Sequence, residues 1–252
     1  MMEEELRAWG NIRITGRPGG GNRNHVREAV AGDGQRLVVR RSRRTVPALD
    51  WELDLLEHLG GCGFTVPAVV PTLDGRRHVR GVVVQEWLNG RPPAREDWAA
   101  VATELRRLHA VTRGWSQRPG FRSTRDLLLH ERGGDVDLSA MPQAAVRACR
   151  EAWRGLAGVP MAVVHGDPAP GNIRVTPSSV GLLDWDEARV DHVDLDLADL
   201  PITVLPTAQQ ARARAAVHAW EAACCWRIEN HYARRRLADL ELTRREGGAA
   251  DW

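Results

Sequence analysis

Three oxygen-bearing side chains stand close together in the stretch from Val163 to Ala188: Asp167, Asn172 and Asp184. Apolar, β-branched runs at Ile173 to Thr176 and Val180 to Leu183 flank Pro177-Ser178-Ser179, which is the composition of a hairpin turn. A turn centred near Ser178 sets Asn172 opposite Asp184, and Asp167 follows another apolar run, Met161 to Val164. Hard oxygen donors at one end of a small sheet suit a metal that holds phosphates, because Mg2+ takes one or two protein oxygens and completes its shell with phosphate and water. A further carboxylate then remains to accept a proton from a hydroxyl. Each Asp taken singly also suits an ordinary turn or strand end. Both halves in order favour phosphoryl transfer.

His165-Gly166-Asp167 followed by Asn172, and then Leu182-Leu183-Asp184-Trp185-Asp186, resembles the aminoglycoside phosphotransferase family, with its choline, homoserine and fructosamine kinase relatives. The HGDxxxxN pattern stands where protein kinases carry HRDxxxxN, and the Asp-aromatic-acid triplet where they carry DFG. The resemblance implies Asp167 as catalytic base, Asn172 and Asp184 as Mg2+ ligands, and His165 as a brace of the loop. It also implies an α+β, bilobed, protein-kinase-like fold. Residues 1–90 would form a mainly β, nucleotide-binding lobe, and residues 91–252 a mainly helical lobe for catalysis and the acceptor.

Several elements must position that segment. Strand-like runs at Asn11 to Thr15 and His25 to Ala31 enclose a glycine-rich stretch, in which Gly20, Gly21 and Asn22 are candidates to lay backbone N–H groups over phosphates. An ordinary flexible turn is the alternative. Gln35 to Arg40 reads as a strand by its β-branched content. Arg40 stands where a protein kinase has its ATP-binding lysine, and a guanidinium can bridge two phosphates. A helix starting at Pro47 carries Leu49, Leu53, Leu56 and Leu59 at helical spacing, ends at Gly60-Gly61, and in the kinase pattern offers Glu52 as the ion-pair partner of Arg40, with Asp54 and Glu57 as alternatives for a rotated helix. Strands follow at Val66 to Pro71 and Arg80 to Trp87, and the second resembles the hinge where adenine meets backbone groups, here those of Gln85 and Trp87.

Beyond the linker Arg91-Pro92-Pro93, Trp98, Val101, Leu105, Leu108 and His109 share one helical face, residues 114–134 read as a loop, and a second helix runs from Pro142 to Leu156. Asp196-Leu197-Ala198 resembles the family element whose Asp braces the catalytic loop. The chain ends in helices, Ala208 to Cys225 and on through Leu240. Arginines dominate here and around Arg118, Arg122, Arg125 and Arg132, and Trp220, Trp226, His231 and Tyr232 offer a flat wall. The expectation is an acceptor of neutral or modest charge.

Composition narrows the alternatives. At 252 residues with 43% apolar residues the chain can bury a sizeable core, and a net charge of +2 argues against a nucleic-acid partner. All 35 basic residues are arginine, so Schiff-base chemistry and a Walker-type lysine are excluded. The four cysteines lack metal-ligand spacing, the acidic start has no apolar core segment, and no run reaches membrane-spanning length. The expected protein is a cytoplasmic enzyme without membrane contact. It uses ATP, or GTP as the other donor, with Mg2+ to phosphorylate a hydroxyl of an antibiotic-type or secondary-metabolite acceptor, with resistance or self-protection as the implied role. A choline, homoserine or sugar kinase is the alternative within enzymes. From another class, Arg40 and Pro168-Ala169 keep open a nucleotide-binding pseudokinase.

Overall fold

The computed structural model describes residues 2–16 and 25–247. In chain order, helix α1 (Met2–Leu6) precedes strands β1 (Ile12–Gly16), β2 (His25–Ala31) and β3 (Arg36–Arg41), helix α2 (Val46–Gly61), and strands β4 (Val69–Val70) and β5 (Val82–Glu86). Helix α3 (Trp98–Val111), the short strands β6 (Arg132–Gly133) and β7 (Val136–Asp137), helix α4 (Gln143–Arg154) and strand β8 (Met161–Val164) follow. Next come β9 (Ile173–Val175), β10 (Val180–Leu182), β11 (Arg189–His192) and the helices α5 (Thr207–Cys225) and α6 (Asn230–Gly247). The chain divides into two compact units, one of Met1–Pro93 with Ala169–Asp184, the other of Ala94–Pro168 with Trp185–Trp252.

The first unit is mainly β. Its antiparallel sheet has the order β1-β2-β3-β5-β4. Alternation along β3 and β5 buries Leu37, Val39, Val82 and Val84 with Leu6, Trp9 and Ala29 in one apolar cluster. Leu6 and Trp9 belong to an N-terminal segment that reads as polar in sequence. On α2 the stripe Leu49, Leu53, Leu56 and Leu59 is buried together with Trp51, Glu52 and Leu55.

The β9/β10 hairpin belongs to this unit rather than to a C-terminal block beginning near residue 91. Arg91 and Val175 exchange backbone hydrogen bonds at 3.1 and 2.7 Å, and the Leu182 N–H donates to the Thr65 carbonyl at 3.0 Å. Gly90 (φ +128°) makes the approach feasible, since a Cβ there would lie 2.9 Å from the Val175 carbonyl oxygen.

The second unit is mainly helical. Helices α4 and α5 pack closely because α5 buries Ala213, Ala215, Ala216, Ala219, Ala222 and Ala223, and the Trp153 indole donates to the Ala216 carbonyl at 3.3 Å. Strands β8 and β11 pair antiparallel, with Val164 opposite Arg189 and Met161 opposite His192. Sequence pattern misses β11, because Arg-Val-Asp-His has no apolar alternation. Its polar side chains are buried in a network instead: Arg189 Nε donates to Asp191 at 2.9 Å, and the same carboxylate accepts from the Thr124 N–H and hydroxyl. Among the described residues, no helix is long and apolar enough to cross a membrane.

Candidate active site

In the first unit, β3, β5 and α2 converge on a buried polar cluster. Arg40 is paired across β3 and β5 with Val83, so its side chain reaches both the neighbouring strand and the helix that follows β3. Its guanidinium forms an ion pair with Glu52 of α2, and its Nε donates to Gln85 Oε1 at 3.0 Å. Glu52 is 1% exposed and Arg40 8%. A buried guanidinium with a carboxylate and an amide oxygen has an orientation fixed by protein bonds rather than by water.

Gln85 is thus brought to Arg40 by its side chain, and its backbone sits mid-sheet between Val38 and Val69. The Trp87 N–H donates to the Arg36 carbonyl at 3.1 Å, and the Arg36 guanidinium lies 4.0 Å above its ring. Gly20, Gly21 and Asn22 lie outside the described residues.

The β9/β10 hairpin carries the other oxygen donors of this unit. Its register pairs Ile173 with Leu182 and Val175 with Val180, and the Leu183 N–H donates to the Asn172 carbonyl at 2.8 Å. Asn172 therefore stands opposite Leu183, with Asp184 one residue farther along. This differs by one position from a turn centred at Ser178, because Thr176 and Ser179 close the turn with an N–H···O bond of 3.0 Å around Pro177-Ser178. Asp184 has φ +57°, a left-handed conformation that is unusual outside glycine, and it is exposed. An amide oxygen and a carboxylate at the same end of one hairpin form a donor set that fits a hard divalent cation.

Asp167 lies in the second unit, on the loop after β8. His165 is fully buried, with its ring centroid 4.8 Å from that of Trp185, and Asp167 is exposed two residues later. Gly166 between them has φ +91°, and a Cβ there would sit 2.8 Å from the Glu187 carbonyl oxygen, which explains why the motif needs glycine at this point. The loop hangs on Asp196, whose carboxylate accepts the His165 N–H at 2.8 Å, the Gly166 N–H at 2.9 Å and His109 Nε2 at 2.8 Å. Burial pushes the Asp196 carboxyl up, but the hydrogen bond and charge of His109, with His165 and the Gly166 N–H, outweigh it and hold the group below the ordinary carboxylate range.

Sequence reasoning missed two members of this scaffold. His109 reads there as part of an apolar helix face, whereas its ring is the side-chain donor to Asp196. Arg118, expected among basic residues near the acceptor, is fully buried and donates to the carbonyls of Trp185, Asp186 and Ala188. No motif marks either residue.

Four of the arginines expected near the acceptor are ion-paired. Arg236 pairs with Glu221, Asp239 and Asp199, Arg214 with Asp199, and Arg132 and Arg227 with Asp137. Trp220 and Trp226 are buried, the former 3.3 Å beneath the Arg189 guanidinium, and the Tyr232 hydroxyl donates to Glu221 at 3.0 Å. Trp220 and Trp226 thus belong to the core, whereas Tyr232 is half-buried and His231 exposed.

The sequence profile of the phosphotransferase enzyme family, APH, matches residues 15–238. The chain belongs to this family. It is accordingly a phosphotransferase of the kinase type, with an alcohol group as acceptor, on a kinase-like α+β fold. No match was found among curated proteins. Among solved structures, choline kinase LicA from Streptococcus pneumoniae aligns with TM-score 0.69 at 14% identity, covering 96% of each chain. An aminoglycoside phosphotransferase from Alicyclobacillus acidocaldarius aligns with TM-score 0.58 at 19% identity, covering 95% of each chain. The amicoumacin kinase hAmiN in complex with AMP-PNP, Ca2+ and Ami aligns with TM-score 0.61 at 15% identity, covering 96% of this chain and 85% of that one. At these identities the likeness shows the fold of the phosphotransferase and not its acceptor.

Proposed function

We propose that this phosphotransferase transfers the γ-phosphoryl group of ATP, with Mg2+, to a hydroxyl of an antibiotic-type or secondary-metabolite acceptor. The observation that carries the reading is the exposed Asp167 carboxylate on a loop whose neighbours His165 and Gly166 are pinned by buried Asp196. Rigid presentation of a carboxylate serves positioning, which is most of what a loose phosphoryl-transfer transition state asks of a protein. Asp167 would accept the hydrogen bond of the acceptor hydroxyl and take its proton as the bond to phosphorus forms.

Asn172 and Asp184 would hold the divalent cation, whose contribution when bound is charge neutralisation at phosphate oxygens. Arg40, fixed by Glu52 and Gln85, would turn its remaining N–H groups to phosphate oxygens, and Gly20, Gly21 and Asn22 would supply backbone donors. Gln85, in β5, and Trp87, just after it, would border the adenine. GTP is the alternative donor. The complex of the amicoumacin kinase with AMP-PNP and Ca2+ supports a nucleotide with a divalent cation.

The test is transfer of labelled phosphate from ATP and from GTP to a panel of hydroxylated antibiotics, nucleosides, sugars, choline and homoserine. Saturable, Mg2+-dependent transfer to an antibiotic or secondary metabolite is expected. Efficient transfer to choline or homoserine alone would replace the acceptor class, and nucleotide binding without any transfer would leave a binding protein.

A further inference from the structure

Arg118 is the largest charged side chain buried in the second unit apart from Arg189, and its contacts converge on one short piece of chain. Its Nη1 donates to the Trp185 carbonyl at 3.0 Å, the Asp186 carbonyl at 2.9 Å and the Ala188 carbonyl at 3.2 Å. The guanidinium carbon lies 4.7 Å from the Phe121 ring centroid. Gln117 extends the clamp, since its Nε2 donates to the Val190 carbonyl at 2.8 Å while its Oε1 accepts the Val190 N–H at 3.0 Å. Two consecutive side chains of the loop after α3 thus grip the backbone from Trp185 to Val190.

That backbone is also the wall on which the HGD loop rests. The Trp185 ring packs on the His165 ring, and the Glu187 carbonyl oxygen occupies the space that a side chain at Gly166 would need. One guanidinium therefore reaches, through a single strip of backbone, the loop that carries Asp167. All three bonds leave one nitrogen, Nη1, which the planar guanidinium presents from a fixed direction, whereas a lysine ammonium sits on a flexible stem.

We infer that Arg118 is a positioning residue for phosphoryl transfer, fixing the Trp185–Ala188 backbone that orients the loop of Asp167. The inference rests on the role proposed above for Asp167. It concerns a residue that touches neither nucleotide nor acceptor.

The test compares wild type with Arg118→Lys and Arg118→Ala, with Arg113→Ala at an exposed neighbouring arginine as control. Steady-state transfer and hydrogen exchange of the nucleotide-free protein are measured on each. Exchange is expected to rise in peptides covering 163–168 and 185–190 of Arg118→Lys and to stay unchanged across α5. A displaced loop should lower kcat about a hundredfold with KM for the acceptor nearly constant, since a shift of ~1 Å costs that much. Added guanidinium at non-denaturing concentration should recover part of the loss in Arg118→Ala and none in Asp167→Ala. Should Arg118→Ala fail to fold, Arg118→Lys decides alone.

Unchanged exchange in these two segments, or a kcat within threefold of wild type (roughly the level of a harmless substitution), would overturn the inference. So would an equal loss in Arg113→Ala. A wild-type protein that transfers phosphate to no acceptor removes the proposed function, and with it the catalytic meaning of the clamp. Active wild type with an unaffected Arg118→Lys removes the clamp alone.

Discussion

Asp196 accepts the backbone N–H of Gly166 at 2.9 Å, thirty residues away in sequence, with the same carboxylate bonded to His165 N–H and His109. Because the group is fully buried and its folded pKa is depressed, its stabilisation is present above its ordinary value of 3.8 and is lost as pH falls through the lower folded value. Asp196→Asn should therefore destabilise the protein by about 3 kcal/mol at neutral pH, since buried donors lose their acceptor. The gap from wild type should narrow below about pH 4 as the wild-type carboxyl takes up its proton. Urea unfolding at a series of pH values checks both. A gap that widens in acid would mean that the brace is not ionised.

The two aspartates of the motif should fail in different ways. Asp167→Ala is expected to lower kcat by about three orders of magnitude while KM for ATP changes little, because a carboxylate that meets the acceptor is removed. Asp184→Asn keeps the shape but removes a charged metal ligand, and should raise the Mg2+ requirement as well as lower kcat. Steady-state kinetics at varied Mg2+ separates them. Near-normal turnover in Asp167→Ala would reassign the base.

How far the chain could be read from sequence follows from where each contact lies. The helical stripe of α2, the β-branched runs of β3 and β5 and the pairing of Arg40 with Glu52 are legible, because each depends on local spacing or on an ordered motif. The membership of β9/β10 in the first unit is not, since it comes from Arg91 and Thr65 meeting the hairpin across long separations. Nor are Arg118 and β11, where charged residues serve the core by bonding buried carbonyls and carboxylates. Charge in a sequence ordinarily signals solvent, and only the fold shows the exception.

The Arg40 pair separates stability from nucleotide binding. Arg40→Met removes the ion-pair partner of buried Glu52, and should cost about 3 to 5 kcal/mol. The double variant Arg40→Met with Glu52→Leu should recover most of that stability, because an apolar pair of similar volume replaces both charges. It should not recover KM for ATP. Parallel restoration of both would place the phosphate contact elsewhere. Arg41 is an unsuitable blank here, since it holds buried Glu5 at 2.9 Å and its removal has a cost of its own.

Asp184 offers the clearest opposition between folding and function. Its φ of +57° costs a residue with a Cβ roughly 1 kcal/mol or more, less for Asp than for most because its short polar side chain tolerates this region. Glycine enters the same conformation without steric cost but adds freedom to the unfolded chain, which takes back part of the gain. From the backbone alone, Asp184→Gly should gain up to about 1 kcal/mol, less whatever the Asp184 side chain's own interactions contribute, while losing Mg2+-dependent transfer. Asp184→Val, branched at Cβ, should lose about 2 kcal/mol and the activity together. Thermal unfolding beside phosphate transfer reads the two quantities on the same samples. If the glycine variant proved markedly less stable than wild type, contacts of the Asp184 side chain rather than its charge would account for its conformation, and its assignment as a metal ligand would lose its structural support.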